Sequence, residues 1–267
     1  MKIVKKKIGP SPFISIEMRG KGDPVIFLHG IGGNKRNWDD NLEYFAHKFQ
    51  LITWDTRGYG ESDDYYGSFN FGDIVEDLNK VLLDLKIEKI NLVGLSMGAR
   101  IACWFYEKYP NKVKTLVLCD TNLGSRGFSK KEKEEFVTLR TKPFEQGIGI
   151  EQFSPMIAKS LIGDTNNKNA LNKLISSLNL LRKDSYIKTV KSFISEDWLN
   201  NFSKIEVPCL VMVGELDDLT PPSVAKEIDA LIPNSQLKIV EGAGHLINIE
   251  KPMIFNEYVF KFLCKFN

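Results

Sequence analysis

Hydrophobic residues fall along this chain in two alternating patterns. Short continuous apolar runs recur at residues 25–28, 51–54, 90–93, 113–119, 209–213 and 237–240, and runs of this length predict buried strands. Longer segments between them have helical spacing. From 71 to 85 the apolar residues Ile74, Val75, Leu78, Val81, Leu82 and Leu85 keep steps of three and four, which paints one face of a helix. Strands that are apolar along their whole length and alternate with helices predict an α/β fold, a mostly parallel central sheet flanked by helices on both faces. The two leading segments, 2–6 and 13–18, instead alternate as antiparallel edge strands do.

The rhythm breaks between 124 and 203. No strand-like run occurs there, and amphipathic helices are predicted, for example over 130–141 and 170–181. The expected organisation is a core formed by residues 1–123 and 204–267, with 124–203 inserted as a helical cap. That insert carries thirteen basic against nine acidic residues, most of them expected on solvated helix faces.

Composition narrows the function classes. At 267 residues and 43% hydrophobic content the chain can bury a substantial core. Its 36 basic and 34 acidic residues leave a net charge of +2, which supplies no field for nucleic acid or an anionic membrane. No run approaches the roughly 18 apolar residues of a membrane span, and the basic start MKIVKKKIGP lacks the apolar stretch of a signal peptide. Cys103, Cys119, Cys209 and Cys264 are too scattered for a zinc site or a disulfide scaffold. Free thiols in a reducing cytoplasm are expected, and Cys264 lacks the aliphatic followers of a prenylation box.

The candidate chemistry centres on Gly94-Leu95-Ser96-Met97-Gly98. It matches the G-x-S-x-G nucleophile elbow, between a strand-like and a helix-like run as that motif requires. A strained serine backbone in such a turn leaves no room for side chains two positions away, hence the glycines. The helix start favours negative charge, so the Met97 N–H is a natural oxyanion donor. A plain turn with a capping serine is the competing account.

A serine hydroxyl needs a base, and the chain has three histidines. His47 ends a predicted surface helix, and His29 is placed to support the loop after its strand. His245, on a loop with Gly242 and Gly244 to free the backbone, is the expected base. The acid should follow a strand between Ser96 and His245; Asp217, Asp218 and Asp120 all qualify by spacing. The order serine, acid, histidine is that of α/β-hydrolases.

With these residues in view, the chain resembles the α/β-hydrolase superfamily over nearly its full length. The segments are HGIGG from His29 to Gly33, DTRGYGES from Asp55 to Ser62, GLSMG, GELDDLTPP and GAGHLINIEKP. The resemblance implies Asp217 as the acid and the backbone of Ile31 as the second oxyanion donor, with Arg57, Gly58 and Gly60 structural. The acidic run Glu61 to Asp64 is expected to be a solvated loop and not a metal site. WDTRGYGES and GAGHLINIEKP are most similar to the 3-oxoadipate enol-lactonase group of small esterases.

The implied activity is hydrolysis of a carboxylic ester or lactone of a small molecule through an acyl-enzyme, without metal or cofactor. Dehalogenases and epoxide hydrolases of this fold carry aspartate where position 96 is serine. A C–C bond hydrolase, a cofactor-free haloperoxidase or perhydrolase, and a catalytically idle ligand receptor are the alternatives. Trp38, Phe128, Phe144, Phe153 and Trp198 are the expected apolar substrate-binding residues, weighed against a purely structural packing role.

Overall fold

The computed structural model describes residues 2–124, 128–195 and 201–266. Eight strands form one sheet: β1 (Val4–Ile8), β2 (Ile14–Arg19), β3 (Asp23–Leu28), β4 (Phe49–Trp54), β5 (Ile90–Leu95), β6 (Val113–Cys119), β7 (Cys209–Gly214) and β8 (Ser235–Val240), in the order β1-β2-β4-β3-β5-β6-β7-β8. β1 and β2 pair antiparallel, as do β2 and β4, and every later pairing is parallel. The leading antiparallel strands are thus present, but only β1 is an edge. Its exposed Lys5, Lys6 and Lys7 discourage a further strand from pairing there.

The helices of the core are α1 (Asp39–Phe45), α2 (Phe71–Asp84) and α3 (Met97–Lys108). Between β6 and β7 follow α4 (Lys130–Glu145), α5 (Ile150–Leu161), α6 (Lys168–Leu178) and α7 (Lys183–Ser195). After β7 come α8 (Pro222–Leu231), the short α9 (Ile247–Glu250) and α10 (Pro252–Lys265).

Helix α2 starts where Asn70 accepts the Asp73 N–H, satisfying one donor of the first turn. Its Ile74, Val75, Leu78, Val81 and Leu82 are buried, as the spacing predicts. Ser129 and Glu132 close a reciprocal capping box at the start of α4.

The centre of the sheet is buried throughout, since every residue of β5 and β7 is covered, and the polar Asn91 there accepts the Thr115 hydroxyl. β8 departs from the expected pattern, because only Val240 is fully buried. An edge strand is covered on one side by a neighbour and leaves the other open. The parallel strands all end at one side of the sheet, and the loops that leave those ends carry the candidate chemistry.

Candidate active site

Ser96 joins β5 to α3 with φ 54° and ψ −114°, a backbone region that costs a non-glycine residue on the order of 1–3 kcal/mol. Its amide donates to the Cys119 carbonyl at 2.8 Å, and its carbonyl accepts from the Ala99 and Arg100 amides. A Cβ on Gly94 would lie 2.4 Å from the Ala99 nitrogen, and one on Gly98 would lie 1.9 Å from the Leu28 carbonyl oxygen. Helix and strand therefore approach closely enough that only glycine fits on either side. The Ser96 hydroxyl makes no capping bond to α3, and Ser96 borders a cavity.

His245 borders the same cavity. Its Nδ1 lies 2.8 Å from Asp217 Oδ2, so Nδ1 carries the proton and Nε2 is left as the acceptor. The Asp217 carboxylate is itself fixed: Oδ1 accepts the Leu219 and Thr220 amides at 2.9 and 3.0 Å, and Oδ2 accepts the Thr220 hydroxyl at 2.6 Å. Burial pushes this carboxyl upward, but the His245 charge and hydrogen bond, together with Thr220, outweigh it and hold it below the ordinary carboxylate value.

The other two carboxylates are elsewhere. Asp218 is exposed. Asp120 is buried with φ 46° and accepts the Gly214 amide at 2.9 Å, and burial, then the charge of Asp217, drives its pKa well above the usual range. His29 donates from Nδ1 to the Gly30 carbonyl (2.9 Å) and accepts the Thr56 amide at Nε2 (3.1 Å), bracing the following loop. His47 is exposed beside Phe260.

Ile31 stands on the cavity wall, and Met97 follows Ser96 as the first residue of α3. Among the described residues neither amide donates to a backbone carbonyl, as expected for a turn and for a first helical position. Trp38 and Phe128 also border the cavity. Phe144 and Phe153, expected to line it, do not. Their rings lie 4.4 Å apart, centre to centre, and both pack on Tyr186. Each sits on the buried face of its helix, where the interior of the insert takes it out of ligand reach. Trp198 lies outside the described residues.

The sequence profile of the α/β hydrolase fold matches residues 23–252. The chain belongs to the α/β hydrolases. It is 24% identical to the 3-oxoadipate enol-lactonase 2 of Acinetobacter baylyi, over 91% of this chain and 89% of that one. It is 27% identical, over 90% of each chain, to a Bacillus subtilis protein provisionally named 2-succinyl-6-hydroxy-2,4-cyclohexadiene-1-carboxylate synthase. A thermophilic esterase from Thermogutta terrifontis, solved with malate bound, superposes with a TM-score of 0.87 at 26% identity, over 99% of both chains.

Several contacts in this α/β hydrolase escape the motifs. Glu250 accepts the Gly244 amide at Oε1 (3.0 Å) and the Gly163 amide at Oε2 (2.9 Å), tying the histidine loop to the turn after α5. The His245 amide donates to the Leu161 carbonyl at 2.8 Å. Gly244 does not supply the conformational freedom expected of it. Gly242 has the positive φ, whereas a Cβ on Gly244 would lie 2.3 Å from the Gly163 nitrogen; its role is close backbone contact. Glu250 and Thr220 both fall inside the quoted motifs, so the signal was present without a role attached.

The run Glu61 to Asp64 is also more than a solvated loop. Glu61 pairs with the buried Lys35 at 2.8 Å, and Asp64 accepts from Ser185 and Arg182 of the insert. Among the described residues no cluster of three or more histidine, cysteine or acidic side chains could hold a metal ion. No described helix is long and apolar enough to cross a membrane.

Proposed function

We propose that this α/β hydrolase is a serine esterase that cleaves a carboxylic ester or lactone of a small molecule. One observation carries the reading: Ser96 and His245 border one cavity, and the imidazole Nδ1 of His245 is held 2.8 Å from Asp217. In the proposed reaction His245 Nε2 takes the Ser96 proton as the oxygen attacks the carbonyl carbon. The amides of Ile31 and Met97 stabilise the tetrahedral oxyanion, a contribution of about 3 kcal/mol per donor in comparable sites. The protonated imidazole then gives its proton to the leaving alcohol, and an acyl-serine forms. Water, deprotonated by the same histidine, releases the acid and restores the serine. The depressed Asp217 pKa supports this scheme, because a carboxylate that stays ionised stabilises the transient imidazolium.

In this reading residues 124–203 act as a cap over the carboxyl edge of the sheet, and substrate binds between the two, against Trp38 and Phe128. The four cysteines are free and three of them are buried, which supports a reducing cytoplasmic setting.

Labelling by a fluorophosphonate and turnover of p-nitrophenyl acetate and butyrate test the proposal. Ser96→Ala is expected to abolish labelling and to lower turnover at least about 10³-fold. Undiminished ester turnover in that variant overturns the serine mechanism. Good turnover of a diketone beside negligible ester hydrolysis would move the reading to C–C bond cleavage.

A further inference from the structure

Asp217 holds the imidazole of His245 from the core, but the backbone that carries the ring is held from the insert. The His245 amide donates to the carbonyl of Leu161, the last residue of α5, at 2.8 Å. One position earlier the two backbones touch, since a Cβ on Gly163 would lie 2.7 Å from the Gly244 nitrogen. The core supports the loop at Ala243, whose carbonyl accepts the Leu216 amide at 2.8 Å.

Glu250, the last residue of α9, closes this seam. It is 5% exposed. Its Oε1 accepts the amides of Gly244 and Leu246, at 3.0 and 3.4 Å, and its Oε2 accepts the Gly163 amide at 2.9 Å. Two of these donors flank His245 and the third belongs to the insert, 87 positions away. Among the described residues no cation pairs with this carboxylate; burial raises its pKa, and the backbone amides oppose the rise. A buried carboxylate is costly unless its acceptor sites are filled, and here they are filled by the two segments that meet at the base.

Proton transfer needs donor and acceptor within about 2.6–3.2 Å, and a misplacement of about 1 Å costs on the order of a hundredfold in rate. Asp217 alone leaves the His245 backbone free to shift. Ile157 and Leu161 also border the Ser96 cavity, so the end of α5 both walls the substrate space and supplies the carbonyl that holds the His245 amide.

We propose that Glu250 is a positioning residue of this centre, and that through Glu250 and Leu161 the insert sets the placement of His245, and hence kcat, as well as shaping the pocket. The inference rests on the esterase reading, in which His245 is the base.

Two variants strain the seam from opposite sides. Glu250→Gln sets an NH2 group against an amide that the carboxylate accepted, and Gly163→Ala adds a methyl that pushes the insert off the loop while Glu250 stays intact. With p-nitrophenyl butyrate each should lower kcat about 10- to 100-fold and change KM less than about threefold; Glu250→Ala should lose more than Glu250→Gln, because it leaves all three amides without an acceptor. Amide hydrogen exchange read by mass spectrometry should quicken in both variants on both sides of the seam, at 161–164 and at 243–246. If Glu250→Gln does not fold, Gly163→Ala carries the test by itself. Native kcat in Gly163→Ala, a loss confined to KM, or exchange that quickens evenly along the whole chain overturns the positioning role. The exchange measurement needs no turnover, so the two proposals separate. Paired quickening in a protein that hydrolyses no ester retains the seam and discards the esterase, whereas Ser96-dependent turnover that neither variant alters retains the esterase and discards the positioning role.

Discussion

The two walls of the cavity are held in different ways. On the sheet side polar contacts fix Asp217 and the histidine loop: three donors besides His245 converge on Asp217, and the Glu250 carboxylate accepts the Gly244 amide. Glycines let β3, β5 and α3 approach to distances that no side chain tolerates. On the side of the insert the interior is largely aromatic and aliphatic, with Phe144, Phe153 and Tyr186 packed together. Polar links also tie it to the core, among them Asn34 to Ser177, Arg182 to the Gly58 and Ser62 carbonyls, Asp64 to Ser185, Asp40 to Lys173 and Glu250 to the Gly163 amide. Hydrogen bonds are directional and fix atoms within tenths of an ångström, whereas apolar contact is set by volume and tolerates exchange of shape. A family can therefore keep one wall for chemistry and revise the other for its substrate.

The largest expected effect strikes the polar wall. Asp217→Asn, which keeps the shape but removes the acceptor that fixes the His245 tautomer, should lower kcat about 10⁴-fold with little change in KM. Steady-state kinetics decide it, and a loss below tenfold would remove Asp217 from the mechanism.

Next comes the packing behind the apolar wall. Phe153, 1% exposed, should cost about 3–5 kcal/mol of stability on truncation to alanine, measured by urea denaturation. The folded variant should keep kcat within about tenfold, because the ring does not border the cavity. A loss as deep as that of Asp217→Asn would erase the contrast between the walls.

The smallest effect separates two neighbouring carboxylates. Asp120 is raised by burial and then by Asp217, so the fold keeps it protonated at pH values where the unfolded chain releases the proton. Stability then falls as pH rises from about 3.9 towards the folded pKa. Asp120→Asn should remove that slope, with a melting temperature above the native protein's at neutral pH and a gap that closes towards pH 4. Melts that run parallel across this range would contradict it. Asp217 has the opposite sign, its contribution being present above the unfolded pKa and lost as pH falls through its depressed folded value.

How much of this was legible beforehand differs from residue to residue. The helical face of α2 and the strands around β5 were readable because burial repeats every few residues, and a short window contains the signal. Ser96 with its two glycines was readable because the whole motif spans five residues, even though the clash at Gly98 is with Leu28 of β3. Spacing left Asp120, Asp217 and Asp218 unresolved, and the family pattern pointed to Asp217. Phe144 and Phe153 were misplaced because an amphipathic helix announces that it has a buried face without saying whether that face meets a cavity or another helix. Gly244 was assigned flexibility when its neighbour Gly163, 81 positions away, required its lack of a side chain.

By itself the sequence determined the alternating strands and helices, the elbow at Ser96 and the order of the candidate triad, all of which depend on backbone sterics and periodicity over short spans. Only the tertiary structure decided that Asp217 meets His245, that Glu250 holds the histidine loop, and that Phe144 and Phe153 pack on Tyr186 away from the cavity. These are approaches between segments distant along the chain. They follow from how whole elements pack, and no local pattern of residues encodes that packing.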